Sequence, residues 1–161
     1  MNISDKEIEF EKVIAQYSAL ISKICYYFSN NSDEFKDLRQ ELLLNIWKGW
    51  DSFRNESKIS SWIYRICFNS CISYQRKEGK IKHFVPLEEA YSMETEKDVP
   101  LMERYLEMHR RISKLSYEER AIILMWLDER SYDEIADLMG MKRNTVAVRL
   151  KRIKEKIVNM A

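Results

Sequence analysis

The sequence predicts an all-α protein. The chain of 161 residues holds three glycines and two prolines, so it has few of the residues that turns between strands require. Leu, Ile, Glu, Lys and Arg, which are common in helices, are abundant. Apolar residues also recur at intervals of three and four, the period of a helix with one buried face. With 45% hydrophobic side chains, the chain can bury one core or two small ones.

Two helices are predicted before residue 50. The first runs from Lys6 to about Phe28 and ends at the polar stretch SNNSDEF, where Ser32 or Asp33 can cap the second helix. Each helix has an apolar stripe. The first stripe consists of Ile8, Val13, Ile14, Tyr17, Leu20, Ile21 and Ile24, and the second of Leu38, Leu42 and Ile46 with neighbouring Leu43, Leu44 and Trp47.

A third helix and a linker follow. A loop around Asp51 to Lys58 leads into a helix from about Ile59 to Gln75, and the three helices are expected to form one bundle. Residues 79–100 contain both prolines and no sustained helical stripe, which predicts a linker. A second, smaller helical domain is expected from Leu101. The apolar face of the third helix is predicted to contain Ile59, Trp62, Ile63, Ile66 and Ser70.

The end of the chain has the pattern of a helix-turn-helix. Ile135, Ala136 and Met139 share one face of a short helix, and Gly140 can supply the left-handed turn that a residue with a Cβ resists. A second helix follows, because apolar residues then step by four, three and four. These anchoring residues are Val146, Leu150, Ile153 and Ile157.

Charge alternates along the chain although the net charge is only +1. Residues 1–53 hold six Lys and Arg against nine Asp and Glu, and 54–82 hold seven against two. Residues 83–139 hold seven against fourteen, and 140–161 hold seven against one. The two basic blocks indicate two places that meet phosphates. Charge alone does not identify the polyanion.

The free faces of the last predicted helix favour DNA binding. Cations and amides near the amino-terminal half of such a helix can enter the major groove. The alternative is that Lys and Arg near a helix carboxy end stabilise its dipole and keep it soluble. The glycine turn, the apolar anchors and the basic block together favour DNA. The residues concerned are Arg143, Asn144, Ala147, Lys151, Arg152 and Lys154.

The sequence gives no support for a catalytic or metal site. Cys67 and Cys71 share a helix face, but their spacing to Cys25 and His83 matches no usual zinc site, so buried thiols are the preferred interpretation. The second histidine, His109, has no nucleophile in a recognisable context. Paired acids such as Glu118 and Glu119 are explained by helix capping. No catalytic residue, metal or cofactor is predicted.

The chain is expected to be cytoplasmic and not inserted in a membrane. It has no apolar run near eighteen residues, and its amino terminus MNISDKEIEF is acidic and unlike a signal peptide. An odd number of cysteines also fits reduced thiols better than disulfides.

Two parts of the chain resemble a known family. SYDEIADLMGMKRNTVAVRLKRIKEKI (131–157), preceded by LSYEERAIILMW (115–126), resembles the carboxy-terminal DNA-binding domain of bacterial sigma factors, although response regulators end in a similar module. DLRQELLLNIWKGWDSF (37–53) and ISSWIYRICFNSCISYQRK (59–77) are similar to the core domain of the small extracytoplasmic-function (ECF) sigma factors. The resemblance extends from about residue 8 to 157.

The resemblance implies a dissociable specificity subunit of RNA polymerase without catalytic chemistry. Such a protein recognises two promoter elements and melts the upstream edge of the bubble. Its implied partners are core RNA polymerase, through the clamp and the flap, and promoter DNA; an anti-sigma factor is typical of the group. The implied organisation is a region 2 domain over 1–78, a linker over 79–100 and a region 4 helix-turn-helix domain over 101–161.

The resemblance also implies a polymerase-binding surface on the second helix. Leu38 and Trp47 match it, but packing inside the bundle is an equally open interpretation for both. The charged and amide residues are better candidates, because such side chains rarely serve a core. The full implied set is Asp37, Leu38, Gln40, Glu41, Asn45 and Trp47.

The basic block 54–82 corresponds to the segment that holds single-stranded DNA during promoter melting. The loop 54–58 is the candidate base-capturing loop, since an extruded base can enter a pocket while cations follow the backbone. For Trp62 a core role is as open as a DNA-facing one. The implied set is Arg54, Asn55, Glu56, Ser57, Lys58, Trp62, Tyr64, Arg65, Asn69, Tyr74, Arg76 and Lys77.

The chain departs from the family pattern at several positions. Ser73 stands where the family commonly has an acid, so the role of that acid is in doubt. Ala147 and Val148 are apolar where the family commonly contacts DNA; they can meet a thymine methyl or leave contacts to neighbouring cations. The promoter sequence is therefore not transferable. The implied duplex-binding set is Arg143, Asn144, Thr145, Ala147, Val148, Arg149, Lys151 and Arg152.

Two other classes of protein remain alternatives. A helix-turn-helix regulator that acts without polymerase would bind duplex DNA alone and favour palindromic half-sites. A DNA-processing enzyme with a helical DNA-binding tail would need a catalytic set that the sequence does not display.

Overall fold

The computed structural model of the chain describes residues 3–53, 58–78 and 99–160. These residues form seven α-helices and one short 3-10 helix, with no strand, as expected for an all-α protein. The N-terminal half contains α1 (Ile3–Phe28), α2 (Ser32–Gly49), the 3-10 helix (Trp50–Ser52) and α3 (Ile59–Glu78). The C-terminal half contains α4 (Val99–Ile112), α5 (Tyr117–Leu127), α6 (Tyr132–Met139) and α7 (Arg143–Asn159).

Helix α2 begins on a cap that the sequence interpretation placed wrongly. Asn31, not Ser32 or Asp33, is the N-cap: its backbone is extended, and its side-chain oxygen accepts a hydrogen bond from the Glu34 N–H at 2.9 Å. Ser32 and Asp33 already belong to the first turn. An asparagine immediately before a helix is as good a cap as either alternative.

The N-terminal half is a bundle in which α2 packs on both α1 and α3. The predicted face of α2 is buried, with Leu38, Leu42 and Ile46 fully excluded from solvent. The carboxy-terminal part of α1 supplies Ile21 and Ile24, whereas Ile8 near its start is 48% exposed. The predicted stripe therefore extends too far toward the amino terminus. Leu44, also predicted as part of a stripe, is 46% exposed.

Helix α3 has two buried faces where one was predicted. Ile63 and Ser70 are buried as expected, but Tyr64, Phe68 and Cys71 are buried as well. These additional residues are buried because α3 also packs on α5 and α6 of the C-terminal half. A periodicity argument that considers one bundle alone does not detect this second face.

The helix-turn-helix is built as the sequence predicts. Gly140 ends α6 in the left-handed region, at φ 65°. Val146, Leu150 and Ile153 of α7 are at most 1% exposed. They face the other C-terminal helices, because α7 packs on both α5 and α6. Helix α5 begins with the capping box Ser116 and Glu119, in agreement with the capping role expected for the paired acids.

The three cysteines are free and buried, as predicted. Burial raises the pKa of the Cys25 thiol to about 12, and it raises those of Cys67 and Cys71 as well, so all three are neutral. Within the part of the chain that the structure describes, no three His, Cys, Asp or Glu side chains are grouped to hold a metal ion. None of the helices in the described ranges has the length and apolar composition for crossing a membrane.

Candidate nucleic-acid and polymerase interface

Helix α7 presents a polar face on a rigid support. Because its apolar stripe is buried against α5 and α6, the backbone positions that carry its other side chains are fixed relative to those helices. Ala147 and Arg149 are partly buried, and Val148 is 50% exposed. The remaining predicted duplex-binding residues are exposed: Arg143, Asn144, Thr145, Lys151 and Arg152.

The cations of α7 fall into two groups. Arg149 donates from both terminal guanidinium nitrogens to one Glu118 carboxylate oxygen at 3.3 Å, and Arg143 lies 3.4 Å from Asp133. Both pairs lie within the C-terminal half and are largely exposed. Lys151 and Arg152 form no ion pair with any residue of the described ranges. They can therefore meet a phosphate without first leaving a carboxylate.

The predicted polymerase-binding residues of α2 do not share one environment. Leu38 is fully buried, so the structure corrects its assignment: it packs the bundle and is not available for docking in this arrangement. The amide of Asn45 donates to the Ser70 hydroxyl at 2.9 Å and thereby ties α2 to α3. Asp37 and Gln40 are exposed.

Trp47 and Leu44 of α2 differ in their exposure to solvent. Trp47 is half-buried against the Phe10 ring, 4.8 Å between centroids, with the Lys6 ammonium 4.4 Å above it. Packing inside the bundle therefore accounts for much of the surface that Trp47 buries. Glu41, by contrast, is partly exposed. The exposed Leu44 lies one helical turn beyond Gln40 and Glu41, so it belongs to the same surface. The sequence interpretation did not place Leu44 on this surface, because it assigned Leu44 to the buried stripe.

The predicted single-strand face of α3 is partly occupied by protein. The Tyr64 hydroxyl donates to the carboxylate of Asp128, and Tyr64 is only 2% exposed. Burial and the Asp128 carboxylate raise the pKa of the Tyr64 hydroxyl, which therefore stays protonated as a donor. Arg65 is 3.3 Å from the Asp137 carboxylate, in a contact that remains exposed. Asn69 is exposed, and Tyr74 is half-buried.

Trp62 belongs to an aromatic cluster beside the candidate capture loop. Its ring lies 5.0 Å from Phe53 and 6.0 Å from Trp50, between centroids. These contacts favour the packing interpretation for Trp62. Lys58 is exposed at the end of the loop. The other loop residues, Arg54, Asn55, Glu56 and Ser57, lie outside the described residues, as do the side chains of Arg76 and Lys77.

Two family models match the two halves of the chain. Sigma-70 region 2 matches residues 13–81, and sigma-70 region 4 matches residues 105–157. The two matches occur in the order that the sequence resemblance implies, and most of the predicted linker lies between them.

Curated sigma factors match the chain over most of its length, and a solved structure shares its fold. The chain is 29% identical to the ECF sigma factor SigW of Bacillus subtilis, covering 91% of this chain and 85% of SigW. It is 23% identical to SigM of Mycobacterium tuberculosis, covering 99% and 80%. The structure of the sigma factor RpoE with the anti-sigma factor NepR from Bartonella quintana shares the fold, with a TM-score of 0.70, 20% identity and coverage of 92% and 94%. The chain belongs to the ECF group of RNA polymerase sigma factors.

Proposed function

We propose that this sigma factor divides promoter recognition among three surfaces. Helix α2 binds the polymerase clamp, α3 with loop 54–58 holds single-stranded DNA, and α7 binds the duplex of the upstream promoter element. The observation that carries the assignment is the exposed face of α7, where Lys151 and Arg152 have no described acidic partner. The protein then acts in the cytoplasm, where the polymerase and the promoter are found.

Helix α7 can combine base contacts with phosphate contacts. An exposed asparagine such as Asn144 can form paired hydrogen bonds with adenine, and an exposed valine such as Val148 can contact a thymine methyl group. Lys151 and Arg152 are free to bind phosphates, which positions the helix in the groove. Arg149 can exchange its contact with Glu118 for a phosphate.

Helix α3 favours opening of the promoter duplex because it binds the separated single strand. Extruding a base from the stack costs a few kcal/mol, so a capture pocket must return about that much through contacts. We infer that loop 54–58 forms this pocket and that Arg65, Arg76 and Lys77 follow the strand backbone. No nucleotide hydrolysis and no cofactor are needed if the returned free energy is sufficient.

Helix α2 offers a surface of a kind that protein partners use. Its exposed Asp37 and Gln40 and the partly exposed Glu41 lie within two helical turns of the exposed apolar Leu44. An apolar centre with a polar rim is the usual arrangement of a protein interface. We propose that this surface binds the clamp and that the C-terminal half reaches the flap. An anti-sigma factor is a further expected partner, as in the similar RpoE structure, which contains the anti-sigma factor NepR.

Transcription from a defined promoter tests the proposal. The purified chain with core RNA polymerase should start transcription without a nucleotide-driven activator and make promoter thymines reactive to permanganate. The variant Leu44→Asp should lose binding to core polymerase, whereas the exposed control Lys114→Ala should retain it. If the chain failed to bind core polymerase where a control sigma factor binds, the proposal would be wrong. Duplex binding without any transcript would indicate a regulator that works without docking.

A further inference from the structure

Two adjacent acids in the first turn of α5 make different contacts. Glu119 completes the capping box with Ser116, and its other carboxylate oxygen accepts a hydrogen bond from the Lys156 ammonium at 2.7 Å. The Glu118 carboxylate instead accepts from both terminal guanidinium nitrogens of Arg149, each at 3.3 Å. The capping box therefore accounts for Glu119 but not for the contact that Glu118 makes with α7.

The Glu118–Arg149 pair lies at the flank of α7, next to the stripe that packs on the other helices. Arg149 adjoins the buried Leu150, and its side chain is only 31% exposed, whereas Lys151 and Arg152 are exposed. We expect a duplex that approaches α7 to meet Lys151 and Arg152 first. A phosphate reaches Arg149 only when α7 lies in the groove and the guanidinium turns away from Glu118.

A second ion pair, at the start of α7, is weaker. Arg143 lies 3.4 Å from the Asp133 carboxylate, and the two side chains are 65% and 80% exposed. Water screens exposed ion pairs, so this pair holds Arg143 loosely. The Glu118–Arg149 pair is less exposed. Glu118 therefore competes with a phosphate for its arginine more effectively than Asp133 does.

We propose that Glu118 is a specificity-determining residue for promoter binding: it keeps Arg149 from the phosphates of unrelated duplexes and releases it only on the promoter. Unrelated duplexes bind mainly through their phosphates, so a carboxylate that occupies one cation lowers their affinity. On the promoter, base contacts seat α7 in the groove and bring a phosphate within reach of Arg149, which then exchanges partners. The inference rests on the proposed function of α7 as the duplex-binding helix.

Salt dependence separates this role from a purely structural one. Each phosphate that a cation neutralises contributes about −0.9 to the slope of log affinity against log salt concentration. In the parent, Arg149 should contribute to this slope on the promoter and not on an unrelated duplex. Glu118→Gln removes the charge and keeps a hydrogen-bond acceptor, so Arg149 should then contribute on both duplexes. A residue that only supported α7 would change both slopes alike or neither.

Anisotropy titration of the full chain at several salt concentrations is the test. One labelled duplex is the upstream promoter element, selected from a random-sequence library by the chain bound to core polymerase, and the other has the same composition in scrambled order. For Glu118→Gln we expect about fivefold tighter binding of the scrambled duplex, with a slope steeper by about one. Promoter binding should tighten only about twofold with an unchanged slope, so discrimination falls about two- to threefold.

Two further variants complete the comparison. Arg149→Ala should make the promoter slope shallower by about one and change scrambled-duplex affinity by less than about twofold. Glu155→Gln is the matched charge control, because Glu155 is exposed on α7 and forms no ion pair within the described ranges. It removes the same charge as Glu118→Gln but should leave both slopes unchanged. Circular dichroism verifies that each variant is folded.

An unchanged scrambled-duplex slope in Glu118→Gln would overturn the proposal, because Arg149 would then stay away from phosphates without Glu118. A shallower slope on both duplexes in Arg149→Ala would also overturn it, because Glu118 would then not restrain this arginine. Neither result concerns polymerase docking. A parent that cannot bind core polymerase would instead contradict the proposed function, and a duplex of arbitrary sequence would still test Glu118.

Discussion

The two cationic helices, α3 and α7, differ in what their charged faces contact. On α3, Tyr64 and Arg65 contact acids supplied by the other half of the molecule. On α7, Arg149 contacts Glu118 of its own half, and Arg152 is exposed. Opening the contact between the halves would thus free the face of α3 and leave α7 unchanged. If both faces bind nucleic acid as proposed, the contact between the halves would therefore affect the face of α3 and not that of α7.

The largest expected effect comes from the buried arginine between the halves. Arg120 is 4% exposed and donates to the carbonyls of Tyr27, Ser113 and Leu115. Arg120→Met should lower the free energy of unfolding by about 3 kcal/mol, because buried carbonyls lose their donor. Urea denaturation measures the loss. The exposed Arg104→Met on α4 should change stability by less than about 0.5 kcal/mol.

A loss below about 1 kcal/mol for Arg120→Met would contradict the interpretation that Arg120 satisfies buried carbonyls on both sides of the interface.

Duplex DNA binding by variants of α7 tests whether its exposed cations contact phosphates. Arg152→Ala should weaken binding about fivefold to tenfold and reduce the salt slope by about one, as for one lost phosphate contact. Glu118→Gln should instead tighten binding about twofold, because a carboxylate that competes for Arg149 becomes neutral. Both are measured by anisotropy at several salt concentrations. An unchanged slope for Arg152→Ala would place this residue away from the DNA.

The ends of α5 and α6 can be compared through the backbone strain of Glu129 and Gly140, which both have a left-handed backbone. Gly140 has φ 65°, and nothing lies within 4 Å of an added Cβ, so Gly140→Ala should cost about 1 kcal/mol from backbone strain alone. Glu129 has φ 61° after α5, so Glu129→Gly should stabilise the protein by roughly 0.5 kcal/mol. Thermal denaturation of both variants measures these changes. If both variants were destabilised equally, backbone strain would not be the cause.

Acid should weaken the fold through His109. Burial lowers the pKa of His109 from its usual 6.5, against the opposing carbonyl contacts, and the nearby Arg120 charge lowers it further. The unfolded chain therefore takes up the proton first as the pH falls. The stability contributed by neutral His109 is complete above about pH 6.5 and declines below it. Between about pH 7.5 and about pH 5.5, the parent should lose more stability in urea than His109→Gln. Equal losses would exclude His109 as the cause.

The sequence predicted the all-α class and the helix-turn-helix because their signals are local. Gly140 and the apolar steps of α7 lie within a few turns of each other, and the structure bears them out. The buried Tyr64 and Phe68 were not predicted, because their burial depends on helices distant in sequence. Asp128 was missed for the same reason, since an acid at a helix end has no pattern that reveals a distant partner. The assignment of individual residues to DNA or polymerase remains a prediction.

The most direct measurement compares the single-strand affinity of the free chain with that of the chain bound to core RNA polymerase. The same labelled promoter oligonucleotide is titrated with each, at one salt concentration, with core polymerase alone as the blank. The account predicts weak binding by the free chain and at least about tenfold tighter binding by the complex, since the face of α3 is then uncovered. A free chain that binds the oligonucleotide as tightly as the complex would contradict it.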